Sequence, residues 1–195
     1  MEKRDNLKRS INSIISLTEK EWSDLTDFTE LRTLKKNELF LKEGQICDAI
    51  GFINFGALIY FKSLQNGNDV TTDFAFENEW VTNNQSRLNN SPSLINIKAM
   101  ETTELVIIKN DHLNRLYNKI PKLEKLGRIL LENAFVKITQ LSIDLQLLSA
   151  TERYLKLLKK YPEIFQRVPL YHIANYLGVA PKSLSRIRND ISGLE

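Results

Sequence analysis

One cysteine, Cys47, stands in 195 residues. A single thiol closes no disulfide within the chain. It also excludes an iron–sulfur cluster built on this chain's own thiolates, because such clusters need several of them. Histidine is nearly as scarce: His112 and His172 lie far apart in sequence, which argues against a structural zinc site. No apolar run is long enough to cross a bilayer, and the opening Met1-Glu2-Lys3-Arg4-Asp5 lacks the apolar stretch of a signal peptide. These absences predict a protein of the reducing cytoplasm, with no membrane partner. No glycine-rich loop leads into a helix to cradle a phosphate. Cys47 has neither a His partner nor Cys-x-x-Cys spacing to activate it. Glu43, Asp48, Glu77 and Glu79 are scattered acids on turns, where solvation is their ordinary state. His112 reads as a surface residue at a helix start, and His172 as an exposed or phosphate-facing one. Nothing here assembles a reaction, so the chain is expected to be neither an enzyme nor the holder of a cofactor or metal.

What is present has a clear order. The length allows one large or two small domains. Residues 7–29 read as two helical pieces: Ile11, Ile14 and Ile15 share a face, Thr18 and Glu21 form a capping box, and Trp22, Leu25 and Phe28 continue an apolar stripe. After Leu34 the pattern turns to short β-type runs: Leu39–Leu41, Ile50–Phe61, Val70–Phe76, Ile95–Met100 and Leu105–Ile108. Turn signals separate them, among them Glu43-Gly44, Asn66-Gly67 and Asn89-Asn90-Ser91-Pro92. Short strands at this spacing predict a closed or sandwiched antiparallel unit. The period then becomes helical. Asp111 is the expected N-cap of a short helix reaching Tyr117. Pro121 opens a long helix in which Leu123, Leu126, Leu130, Ala134, Ile138, Leu141, Leu145 and Leu148 recur at steps of three and four, like a coiled-coil seam. Leu131 and Phe135 make a second strip beside it. Two readings fit such a helix: burial within its own subunit, or pairing with a second copy. Its place between two domains favours the dimer.

A further helix, Thr151–Lys160, leads into the stretch Val168–Arg188, which has the spacing of a helix-turn-helix. Ile173, Ala174 and Leu177 line the inner side of its first helix, Gly178 supplies a turn open to positive φ, and Val179 plugs the corner. Pro181 suits the first turn of the second helix, along which Leu184 and Ile187 repeat. Lys182, Ser183, Ser185, Arg186 and Arg188 then face outward, with side chains able to bond phosphates or base edges. A helical hairpin with a solvated basic face is the plainer alternative. The formal net charge of +3 decides nothing, but basic residues outnumber acidic ones from Thr151 onward while the rest of the chain is close to neutral. That distribution suits a polyanion partner, expected to be double-stranded DNA.

Helix, β-roll, long helix and helix-turn-helix, in that order, resemble the Crp/Fnr superfamily of bacterial transcription regulators over nearly the whole chain. Lys35–Gly44 is similar to the family's opening strand and glycine turn, and Ile50–Leu58 to its next strands with Gly56 at the hairpin. Arg153-Tyr154-Leu155 followed by the terminal motif is similar to its DNA-binding region. The resemblance implies an α+β fold in three parts. These are a cyclic-nucleotide-binding-like β-roll with flanking helices over 1–120, a dimerisation helix over 121–149, and a helix-turn-helix domain over 150–195 without the wing many members carry, since the chain stops at Glu195.

Two departures from the family pattern shape the expected chemistry. Nucleotide-binding members carry Gly-Glu-x-Ala-Leu-Leu shortly before Pro-Arg-x-Ala, the Glu meeting the ribose and the Arg the cyclic phosphate. Here the Gly and Glu positions hold Asn83 and Asn84 and the Arg position holds Ser93, followed by the bulky Leu94 and Ile95. A buried phosphate without its cationic fork loses charge-assisted bonds and bears an uncompensated desolvation cost. Cyclic AMP and cyclic GMP are therefore not expected to bind in the usual manner. Asn83, Asn84, Arg87 and Ser93 mark the degenerate effector pocket, with Arg87 as the substitute cation for any unknown small-molecule effector. In the reading helix Pro181 and Lys182 replace the Arg and Glu of the cyclic-AMP-receptor type, and Arg186 falls on its second Arg. The leading expectation is a homodimeric DNA-binding regulator. The alternative is a sensor or protein-interaction module whose terminal motif no longer binds DNA.

Overall fold

The computed structural model describes residues 4–192. The readings of Met1–Lys3 and of the chain end at Glu195 lie outside those residues. Two helices, α1 (Asp5–Asn12) and α2 (Glu19–Thr26), open the fold. The Thr18 hydroxyl accepts from Glu21 N at 3.2 Å while the Glu21 carboxylate accepts from Thr18 N at 2.7 Å, the capping box expected from sequence. Eight strands follow among the described residues: β1 (Glu30–Leu34), β2 (Leu39–Leu41), β3 (Ala49–Phe55), β4 (Leu58–Ser63), β5 (Asp69–Ala75), β6 (Trp80–Val81), β7 (Asn96–Ala99) and β8 (Thr103–Lys109). They form two four-stranded sheets, ordered β1-β8-β3-β6 and β2-β7-β4-β5. The pairings β1–β8, β3–β8, β3–β6 and β2–β7 are antiparallel.

Strand β8 explains why the sheets stack. Its side chains alternate between two cores, as the period of two requires. Leu105 and Ile107 meet Ile53, Leu58, Ile97 and Ala99 in one cluster. Val106 and Ile108 meet Phe52 and the apolar faces of the helices, including Leu7, Ile11, Leu25, Leu116 and Leu123, in the other. Each such side chain, fully buried, contributes on the order of 1.5–3 kcal/mol. The run Ile50–Phe61 is broken into two strands at Gly56, whose φ is +101°. A Cβ there would lie 2.5 Å from Thr103 Oγ1 and 2.7 Å from the Thr102 carbonyl oxygen. The β4–β5 loop, residues 64–68, closes with Leu64 N donating to Asn68 O, and its Gly67 has φ +81°.

A short helix α3 (Asn84–Asn89) lies between β6 and β7, and α4 (Asn110–Lys119) follows β8. The cap of α4 differs from expectation. Lys109 occupies the N-cap without a side-chain bond, and Asp111 sits in the first turn, where a negative charge still favours the helix N-terminus. His112 is not a plain surface residue: its Nδ1 lies 3.3 Å from the Phe28 carbonyl and its ring meets Phe28 edge-on at 5.3 Å. The long helix α5 (Lys122–Leu147) is followed by α6 (Ala150–Lys160), α7 (Ile164–Arg167), α8 (Leu170–Tyr176) and α9 (Pro181–Ser192). Ser149 and Glu152 cap α6 reciprocally.

The chain divides into two compact units. The first comprises the residues up to Tyr60 with Phe74–Glu132, and the second Phe61–Asp73 with the chain from Asn133 onward. The apolar seam of α5 changes partners along its length. Leu123 and Leu126 are buried in the first unit's helical core, and Leu130 packs against it. Beyond that point Phe135, Val136 and Ile138 are 71%, 62% and 67% exposed. Leu130 therefore belongs to the chain's own core, not to an open seam.

Candidate nucleic-acid interface

Within the second unit, α8 and α9 make the bihelical corner. Leu177 closes α8 and Gly178 follows at φ +69°, in the left-handed region where a residue without Cβ is unstrained. Ile173, Ala174, Leu177 and Leu184 are buried between the helices. Arg153 from α6 braces the corner. Its Nε and Nη2 donate to the Leu177 carbonyl at 3.1 and 2.9 Å, and its Nη1 donates to the Leu148 carbonyl at 2.5 Å. One guanidinium thus caps the ends of both α5 and α8, satisfying carbonyls that a helix terminus leaves free. The sequence marked Arg153 only as part of a resemblance, and this bracing explains why an arginine suits the position.

Helix α9 sorts the five residues expected to face DNA. Lys182, Ser183, Ser185, Arg186 and Arg188 are all exposed. At 100° per residue Lys182 and Arg186 lie nearly opposite the buried Leu184, with Ser183 on their flank. Asn189, also exposed, continues their row at i+3 from Arg186, and was missed in sequence although the i, i+4, i+7 spacing marks it. Ser185 donates to its own helix, to the Pro181 carbonyl at 3.1 Å. Arg188 turns to the other side and stacks its guanidinium 4.7 Å above the Phe165 ring.

The opposite edge of α8 is held by the β4–β5 hairpin, whose tip belongs to the same unit. Tyr171 donates through its hydroxyl to the Asp69 carbonyl and accepts from Asp69 N, both at 2.8 Å. The Asn175 amide donates to Asp69 O at 2.8 Å and accepts from Thr71 N at 2.7 Å. His172 is correspondingly buried, with Nδ1 2.8 Å from Thr71 Oγ1. This corrects the reading of His172 as exposed or phosphate-facing: the hairpin covers it.

In the first unit the four residues expected from sequence to mark an effector pocket fall together around α3. Asn83 is the N-cap of α3. Its carbonyl oxygen accepts from Ser86 N at 3.2 Å and its amide donates to Ser93 Oγ at 2.8 Å. Ser93, 1% exposed, donates through its own hydroxyl to the Ile95 carbonyl at 2.7 Å. Cys47 joins the same network, donating through its N–H to Ser86 Oγ and accepting from Asn83 N at its Sγ. Asn84 accepts from Arg87 Nη2 at 2.9 Å, while Arg87 Nε is buried with no hydrogen bond among the described residues. Arg87 also lies close enough to Tyr117 for its charge to matter: burial pushes the Tyr117 phenol up, against the lowering influence of Arg87.

Among the described residues no helix is long and apolar enough to cross a membrane. Residues 31–119 match the family model of the cyclic nucleotide-binding domain. Over 185 residues the chain is 24% identical to the transcriptional activator protein anr of Pseudomonas aeruginosa, covering 89% of this chain and 75% of that protein. The transcriptional activator protein FnrA of Stutzerimonas stutzeri is 25% identical with the same two coverages. Among solved structures, FixK2 from Bradyrhizobium japonicum superposes with a TM-score of 0.72 at 15% identity, covering 85% of each chain. The c-di-GMP responsive global regulator CLP of Xanthomonas campestris gives 0.67 at 13% identity, covering 90% of this chain and 92% of that one. At these identities the structural likeness speaks for the fold.

Proposed function

Because the chain belongs to the Crp/Fnr family of transcription regulators, we propose that it binds duplex DNA as a homodimer through α9 and does so without cyclic AMP. The observation that carries the DNA reading is the exposed pair Lys182 and Arg186, opposite buried Leu184 on a helix entered through the Gly178 turn. Arg186 offers the planar fork that suits guanine or phosphate, and Lys182 a point charge for phosphate. Ser183 and Asn189 supply hydrogen bonds beside them. Pairing is supported by the exposed apolar residues of α5 beyond Leu131, Phe135 and Ile138 among them. Two reading helices on a two-fold axis fit half-sites about 34 Å apart. The domain division expected from sequence, a β-roll, a pairing helix and a reading domain, serves this function, with the family's bacterial cytoplasm as its setting.

The loss of cyclic-nucleotide response is supported by the internal bonding of Asn83 and Ser93. Their polar atoms are engaged with one another, with Ser86 and with Ile95, so a cyclic phosphate entering there displaces protein bonds and meets no arginine from position 93. Arg87 remains the cation through which a different anion could act. Fluorescence anisotropy with fragments selected from a random duplex library tests the DNA reading. Binding that weakens as salt rises supports it; no binding even at low salt supports a sensor or interaction module instead. Thermal denaturation with millimolar cyclic AMP tests the second part, and a saturable rise in melting temperature would overturn it.

A further inference from the structure

We infer that Tyr171 and Asn175 are positioning residues for the DNA-reading corner. By pairing with the outer edge of β5 they fasten α8, and through it Lys182 and Arg186, so that two corners meet two half-sites together. Strand β5 ends its sheet, whose order is β2-β7-β4-β5, so one of its edges has no strand of that sheet beside it. Leu64 N donates to Asn68 O at 2.8 Å across the hairpin, which sets the phase. The peptide groups of Val70 then turn toward β4, and those of Asp69 and Thr71 turn outward. An edge of this kind invites another strand unless something covers it.

What covers it is one face of α8. At 100° per residue Tyr171, His172 and Asn175 fall within an arc of about 100°, while Ile173, Ala174 and Leu177 lie beyond it. The Tyr171 hydroxyl accepts from Asp69 N and donates to Asp69 O, both at 2.8 Å. The Asn175 amide accepts from Thr71 N at 2.7 Å and donates to Asp69 O at 2.8 Å. One side-chain amide thus engages the two peptide groups that a residue of an added parallel strand would take. The Asp69 carboxylate turns elsewhere, accepting from Ser63 Oγ at 2.7 Å within the hairpin. The four bonds therefore join amide, hydroxyl and peptide groups without a charge between them, and salt does not screen them.

The clasp reaches the reading helix through the corner's own packing. Ile173, Ala174, Leu177 and Leu184 are buried between α8 and α9, so a restraint on one helix is a restraint on the other. Residues 61–73 of the hairpin belong to the same unit as α8, while its two strands continue by chain connection into the sheet of the first unit. A corner already restrained has less freedom to lose when the second of two half-sites is engaged, and it meets that half-site at a higher effective concentration. The positioning role rests on the DNA reading above; the clasp does not.

The experiment compares the full chain with Asn175→Ala and Tyr171→Phe, each of which removes bonds of the clasp without touching the buried residues between α8 and α9. Circular dichroism checks that both fold. Hydrogen exchange followed by NMR reads the clasp by itself. The Thr71 amide is expected to exchange at least about tenfold faster in Asn175→Ala, and the Asp69 amide likewise in Tyr171→Phe, while the Val70 amide keeps its rate. Thr71 and Asp69 amides indifferent to these substitutions overturn the clasp. Anisotropy then uses two forms of the selected duplex, one with both half-sites and one with a single half-site. Both variants are expected to bind the longer form about three- to tenfold more weakly and the single half-site as wild type does. The salt slope should stay that of wild type, since no cation is lost. Equal loss on both forms places the damage inside the corner and overturns the positioning role, as does unchanged affinity on both. Tighter binding by the variants also overturns it, the hairpin then holding the corner away from DNA. Wild type that binds neither form overturns the DNA reading, and the positioning role with it, while the exchange result still decides the clasp.

Discussion

A methyl group added at Gly56 and at Gly178 asks the same chain two different physical questions. Both glycines have positive φ, +101° and +69°. The backbone strain of placing alanine there is on the order of 1–2 kcal/mol at each. The surroundings differ. At Gly178 the new Cβ meets only Leu145 Cδ2 at 3.5 Å and Arg153 Nη2 at 4.0 Å, ordinary contact distances. At Gly56 it meets Thr103 Oγ1 at 2.5 Å, Thr102 O at 2.7 Å and Thr103 Cα at 2.7 Å, two of them backbone atoms of a neighbouring segment that cannot step aside alone. Overpacking of this kind adds about 1–3 kcal/mol. Gly56→Ala is thus expected to cost about 2–5 kcal/mol and Gly178→Ala about 1–2 kcal/mol. Gly178→Asn should recover most of the second cost, since Asn visits the left-handed region readily. Urea unfolding followed by tryptophan fluorescence reads the first unit, which holds both Trp22 and Trp80, and far-ultraviolet dichroism reads the helices. Should Gly178→Ala cost as much as Gly56→Ala, or Gly178→Asn as much as Gly178→Ala, the reasoning from φ and contact distance is refuted.

Other expectations follow from single residues. Arg153→Lys keeps the charge but loses the fork onto the Leu177 and Leu148 carbonyls, and is expected to destabilise the helical unit by about 1–3 kcal/mol in the same dichroism assay. Phe135→Glu with Ile138→Glu should yield a monomer in analytical ultracentrifugation with the fold intact, because both side chains are more than two-thirds exposed in the single chain; an unaltered dimer would contradict the role given to this face. Burial raises the Asp144 carboxyl, but hydrogen bonds from Lys156 and Gln140, with the charges of Lys156 and Arg153, outweigh it and hold the group below its ordinary value. A carboxyl lowered in the folded state stabilises once ionised, so the stability gap between wild type and Asp144→Asn should be full near pH 6 and close as pH falls below about 4. A gap undiminished between pH 6 and pH 3 would place its origin outside ionisation.

Much of the fold was legible in the sequence because the periods were clean. The alternation through Leu105–Ile108 and the three-and-four spacing from Leu123 mark β8 and α5 directly. Strand β1 escaped because four of its five residues are exposed, leaving no buried alternation to detect. Helix α3 escaped because its residues, Leu88 aside, are polar and Leu88 itself is exposed; the helix exists through its Asn83 cap and the left-handed Asn90 that ends it. In the reading helix, spacing identified Lys182 and Arg186, but helical phase was needed to set Arg188 against Phe165 and to add Asn189. The hairpin's hold on His172 was beyond sequence reasoning, since Thr71 and His172 are far apart along the chain and meet only through tertiary folding.

The central claim is that Lys182 and Arg186 meet a nucleic acid backbone or base edge. Affinity for a selected duplex, measured by anisotropy across a salt series for wild type, Lys182→Ala and Arg186→Ala, addresses it most directly. Lys182→Ala, by removing one cation from a phosphate, should lower the salt slope by about one and weaken all sequences alike, whereas Arg186→Ala should cost about 1–3 kcal/mol and relax preference at one base pair. Variants that match wild type in affinity, slope and sequence preference would contradict the account.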